Sequence, residues 1–136
     1  MSNNLDRHIA VVTNTTHLPL ILGEFECLPR FFKPSELNEI KARDFDGIVF
    51  DDVEVELGPS IESALREMHG QFKPIAVIGQ SAKIIAKLFG ETVELAFKQG
   101  TPAIDYISDR DFKVLSTTGT DAVGIRRMLR ELIEMA

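Results

Sequence analysis

Three short apolar runs, each bounded by polar or turn-forming residues, divide the chain: HIAVVT (residues 8–13), DGIVFDD (46–52) and KPIAVI (73–78). They are rich in Val and Ile and scarcely alternate, the pattern of strands buried on both faces. The stretches between them change to helical spacing. PSELNEIKARDF sets Leu37 and Ile40 a helical interval apart, with Ser35 or a neighbour available to cap. GPSIESALREMHGQF places Ile61, Ala64, Leu65, Met68 and Phe72 on one face, with Pro59 where a first turn accepts proline. SAKIIAKLF is apolar nearly all round and predicts a covered helix. DAVGIRRMLRELIEMA predicts an amphipathic one with Val123, Leu129, Leu132 and Ile133 toward the core.

The remaining segments are less regular. Within NTTHLPLILGEFECLPRFFKP a strand is expected near residues 24–31, and the alternation of Val93, Leu95 and Phe97 predicts a strand in 91–99. AIDYI and FKVLST, flanking SDRD, predict a β-hairpin across 103–117, and the polar residues 1–7 read as a flexible start. With no repeat, low-complexity tract or linker, a single domain over 1–136 is expected. Alternating strands and helices predict an α/β fold, a three-layer sandwich with a mainly parallel, flavodoxin/Rossmann-like sheet and helices on both faces.

Composition narrows the partners. With 44% hydrophobic and 26% charged residues the chain is ordinarily globular. A formal charge of -6 with scattered Lys and Arg argues against nucleic acid. No apolar run approaches the roughly 18 residues that span a bilayer, and MSNNLDRH has no apolar signal core, so no membrane contact and a cytoplasmic location are expected. The single cysteine, Cys27, excludes an internal disulfide and a multi-cysteine zinc site; among Phe25, Leu28 and Phe31 it reads as a small buried hydrophobe. His8, His17 and His69 are dispersed, and neither a metal nor a cofactor is expected.

In such a sheet ligands bind beyond the carboxyl ends of the strands. The loops there define a candidate cleft of Asn14, Asp51, Gly79, Gln80, Ser81 and Thr118, suited to a small polar ligand, although each residue also serves as a turn former or cap. Gly79 to Lys83 approaches the G-x-S-x-G elbow of serine hydrolases, which makes Ser81 a candidate nucleophile. All three histidines precede it, however, and a helix N-cap is the simpler role. Asp51 and Asp52 end their strand as acids do in response-regulator receivers. The chain has Thr13 and Asn14 where receivers carry further acids, and no lysine follows YISD. Thr117 to Thr120 could cradle an anion, but Asp121 can fill the same helix end.

KPIAVIGQSAKIIAKLFG, preceded by DFDGIVFDD and followed later by DRDFKVLSTTG, resembles the ThiJ/PfpI group of the class I glutamine amidotransferase-like superfamily. The likeness covers residues 46–89 and, more loosely, 103–134. It places the family's cysteine nucleophile at Gly79, the next residue at Gln80, and the small residues that open the helix at Ser81 and Ala82. The family's first-loop acid falls at His17 to Leu20, where there is no carboxylate; Glu24 is the nearest acid. The resemblance thus implies a shortened, catalytically degenerate domain acting in small-molecule binding or assembly, with a pseudo-receiver or an atypical hydrolase using Ser81 as alternatives. It further implies a left-handed Gly79 and, for a thiol placed there, acidification by the following helix. Ile84, Ile85, Leu88, Phe89 and the terminal LIEMA suggest a homodimer through apolar surface.

Overall fold

A computed structural model describes residues 7–15, 17–90, 93, 95–96, 106–118 and 121–136. Most of the expected flexible start, most of the strand expected in 91–99, residues 103–105 of the hairpin, and Gly119 and Thr120 lie outside these.

The strands are β1 (His8–Val12), β2 (Leu28–Phe32), β3 (Gly47–Phe50), β4 (Ile75–Ile78), β5 (Ile107–Asp109) and β6 (Val114–Thr117). The helices are α1 (His17–Leu22), α2 (Pro59–Gly70), α3 (Ala82–Phe89) and α4 (Ala122–Met135). The six strands form one sheet in the order β2-β1-β3-β4-β6-β5. Every pairing is parallel except β5 with β6. The α/β class and mainly parallel sheet expected from the apolar runs are therefore present.

Strand alternation separates two cores. Ala10, Val12, Ile48, Phe50, Ile75 and Val77 point to one face, under Ile61, Leu65 and Met68 of α2 and Ile84, Ile85 and Leu88 of α3. Ile9, Val11, Val49, Ala76, Ile78 and Leu115 point to the other, under Leu18, Ile21 and Leu22 of α1 and Ile125, Met128, Leu129, Leu132 and Ile133 of α4. All four residues of β3 and of β4 are buried, which is why those strands read as unbroken apolar runs.

Several local expectations are corrected. HLPLIL forms helix α1 ahead of the second strand, which starts at Leu28 rather than near Glu24. Residues Pro34–Glu39 and Ala42–Asp44 are 3-10 turns, not one α-helix; Glu36 leaves helical geometry at φ -108°, while its side chain accepts from Lys33 N–H at 2.8 Å. Phe72 lies beyond the end of α2 with φ 60° and is 71% exposed, so it does not share that helix's buried face. Val123 is likewise exposed on α4. The hairpin exists, but its first strand is Ile107–Asp109, and Asp109 Oδ1 tightens the turn by accepting from Phe112 N–H at 3.2 Å. Ile84, Ile85, Leu88, Leu132 and Ile133 lie in the domain's own core, so they do not supply the surface on which a homodimer was expected.

Two features seat the KP strand. Lys73 Nζ donates to the Ala42 carbonyl at 2.9 Å, tying the chain to a 3-10 turn, and Pro74 precedes β4, where its carbonyl accepts from Ile48 N–H at 3.2 Å. The elbow at Gly79 is thus held at the strand's entrance as well as at its exit.

Candidate functional site

The chain leaves β1 toward β2 on one side and reaches β3 on the other, so the switch point lies between the carboxyl ends of β1 and β3. Side chains bridge that crevice. Thr13 Oγ1 donates to Asp51 Oδ2 at 2.7 Å, Thr15 Oγ1 donates to the same oxygen at 3.3 Å, and Asp52 N–H donates to Asp51 Oδ1 at 2.8 Å. Both oxygens of Asp51 are consequently engaged. The larger opening is displaced by one strand, to the ends of β3 and β4.

There, β4 breaks at Gly79 into a 3-10 turn, Gly79–Ser81, that runs directly into α3. Gly79 adopts φ 60°, the left-handed conformation expected of an elbow tip, which glycine enters without steric cost. The space above it is taken. A Cβ on Gly79 would stand 2.5 Å from both Cγ and Oδ1 of Asp52 and 2.9 Å from Oδ2. Asp52 Oδ1 in turn accepts the Gln80 N–H at 2.9 Å, so the amide after the elbow tip is spent on a carboxylate of the chain's own. A three-residue turn aims Asp52 this way: Val53 N–H donates to the Asp51 carbonyl at 2.7 Å, turning consecutive aspartates to different partners.

Ser81 is turned inward. It is 1% exposed; its hydroxyl accepts from Ile78 N–H at 3.0 Å and shares its hydrogen between the carbonyls of Ile78 (2.8 Å) and Phe50 (3.1 Å). No N–H of α3 is capped by it. It ties the elbow to the end of β3 and faces away from solvent.

A cavity of about 660 Å³ opens beside the elbow. Asp52, Gly79, Gln80 and Thr118 line it together with the apolar Ala82, Ala86 and Leu95, and Lys83 stands on the same wall. Of the six residues of the sequence-derived cleft, Gly79, Gln80 and Thr118 meet here. Asn14 lines a separate cavity of about 280 Å³ near Thr13, Phe31 and Lys33. Asp51 is held by the threonines, and Ser81 lies beneath the turn. Sequence reasoning saw the strand-end pair Asp51 and Asp52 but chose Asp51 for the cleft, because the turn that divides the two acids was not visible, and it passed over Lys83.

The other candidates have structural partners. Glu24 makes a bidentate ion pair with Arg126 of α4, Nε donating to Oε1 at 3.2 Å and Nη2 to Oε2 at 2.9 Å, which raises the arginine pKa through that hydrogen bond and charge. Asp121 Oδ1 caps α4 by accepting from Val123 N–H at 2.8 Å, as foreseen. Cys27 is nearly buried, and burial pushes its thiol pKa up. His69 packs against the rings of Phe89 and Phe112 at centroid distances of 4.5 and 5.6 Å. Among the described residues no group of three or more His, Cys, Asp or Glu is placed to hold a metal ion, and no helix is long and apolar enough to cross a membrane.

This architecture is matched by solved structures. An isoprenoid biosynthesis protein with an amidotransferase-like domain, from Ehrlichia chaffeensis, superposes with a TM-score of 0.74 over 96% of this chain and 99% of its own, at 15% identity. The chain has the amidotransferase-like, ThiJ/PfpI-like fold. A two-domain protein from Anabaena variabilis, containing DJ-1/ThiJ/PfpI-like and ferritin-like domains, matches with a TM-score of 0.59 over 82% of this chain and 43% of its own, at 10% identity. No protein-family model and no curated protein matches the sequence. The likeness lies in the fold, and the chemistry has to be read from the elbow itself.

Proposed function

We propose that this domain uses the ThiJ/PfpI-like fold to bind a small ligand non-covalently beside its elbow, without a nucleophile at the elbow tip. The observation that carries this reading is the Asp52 carboxylate, standing where a side chain at position 79 would begin and accepting the neighbouring Gln80 N–H. An elbow that delivers a nucleophile needs that volume for the nucleophile and that N–H for the developing negative charge of the substrate. Here a fixed anion holds both, while the cavity beside it stays open. Ser81 supports the reading too: a hydroxyl committed to two carbonyls and an N–H beneath the turn has no approach to a substrate in that cavity. The antiparallel β5 beside β6 speaks against a pseudo-receiver, for which five parallel strands without the hairpin would be expected.

Binding and turnover can be separated on the wild-type protein. Small polar and amphiphilic fragments are expected to move the amide resonances of Gly79, Gln80 and Ala82, while a panel of small esters and aldehydes is left unconverted. Hydrolysis that disappears in Ser81→Ala would defeat the reading in favour of a serine enzyme.

A further inference from the structure

We infer that the ligand of the elbow cavity is a protonated organic amine with an apolar body, an inference that rests on the ligand-binding reading above. Four features of the wall lead to it. Asp52 spends Oδ1 on the Gln80 N–H and, among the described residues, has no cationic partner; the ion pairs join Glu62 to Arg66, Glu131 to Arg110 and Glu24 to Arg126. Beside it, Ala82, Ala86 and Leu95 offer a wall with no hydrogen-bonding side chain. Thr118 lines the same cavity, its hydroxyl oxygen buried and, among the described residues, without a hydrogen-bond partner. Lys83 also lines the cavity, yet it does not lie within ion-pair distance of Asp52.

These features reverse the polarity of a nucleophile elbow. A carbonyl or carboxylate brought to the tip meets the Asp52 charge instead of a free N–H, whereas an ammonium group meets an acceptor of opposite charge. The two charges on the wall differ in how firmly they are held. Both side chains are exposed, but Asp52 is anchored by a backbone N–H, while Lys83 can carry its ammonium away into solvent on a flexible stem, so the anchored anion sets the preference. The apolar wall then favours an alkyl or aryl amine over a small hydrophilic cation.

Three probes of one shape separate the possibilities: phenethylamine, 2-phenylethanol and 3-phenylpropionate, titrated at neutral pH against the full chain and followed by the methyl resonances of Ala82, Ala86 and Leu95. The amine is expected to bind most tightly. Its affinity should fall about ten-fold or more in Asp52→Asn, the loss typical of a hydrogen bond to a charged group, and be kept or improved in Lys83→Gln. Equal amine affinity in Asp52→Asn and wild type, or tighter binding of the acid than the amine, overturns the inference while leaving a ligand-binding cavity in place. No response at these methyls to any of the three probes overturns the inference and the ligand-binding reading together.

Discussion

Replacing Gly79 with alanine imposes two separate costs. The left-handed backbone at φ 60° disfavours any Cβ by about 1 kcal/mol, and the new methyl would have to displace the Asp52 carboxylate. Gly79→Ala should therefore lower unfolding stability by about 2–3 kcal/mol. In an Asp52→Gly background the same change should cost only the backbone share, about 1 kcal/mol, and urea denaturation of the four proteins in this cycle measures the difference as a coupling. Equal costs in both backgrounds would mean that Asp52 does not occupy the elbow. Ser81→Ala removes a buried hydroxyl that satisfies the Ile78 N–H, and should cost about 1–3 kcal/mol without weakening binding in the cavity. A larger effect on ligand affinity than on stability would contradict this assignment. Cys27 should alkylate more slowly than an unhindered thiol near neutral pH, because burial raises its pKa and keeps it protonated. The sign follows from the shift: the folded state holds that proton more tightly, so the stabilising contribution is complete below the ordinary thiol range and is lost as pH rises through the raised value.

At the scale of elements, legibility followed the solvent environment of each segment. β3 and β4 are buried on both faces, so their apolar runs could be read directly from the letters. Helix α2 announced itself through Pro59 and the spacing of Ile61, Ala64, Leu65 and Met68. Helix α1 did not: HLPLIL has only six residues with a proline inside, too short for periodicity to separate helix from strand. The edge strand β2 was misplaced for a related reason, since only Phe32 of its five residues is fully buried. Within the site, Gly79 and Gln80 were legible because a strand-to-helix elbow is a local pattern. Asp52 was not, because two adjacent aspartates are chemically identical in the sequence, and only the turn closed by Val53 N–H decides which of them reaches Gln80 across 28 residues.

For the molecule as a whole, burial of the apolar faces of α3 and α4 changes where self-association can be sought. The exposed large apolar side chains include Leu28 and Phe31 on β2 and Leu20 on α1. β2 bonds inward through Leu28 N–H, which donates to the Arg7 carbonyl, so the backbone of Pro29 faces the open edge, where a proline withholds a donor from a further strand. A homodimer, as proposed, would accordingly pack side chains there and not extend the sheet. Sedimentation at twice 15.2 kDa supports it, and a clean 15.2 kDa species at high micromolar concentration ends it. The central claim, that a resident carboxylate has taken over the elbow, is tested most directly by the pH dependence of alkylation of Gly79→Cys in a Cys27→Ala background, with each protein first shown to be folded. A helix N-terminus alone would acidify that thiol, as the sequence suggests, but the adjacent Asp52 carboxylate opposes the thiolate. The account predicts a midpoint at or above the ordinary thiol value of about 8.5, falling when Asp52→Asn is added. A midpoint well below that value with Asp52 in place, unchanged by Asp52→Asn, would contradict it.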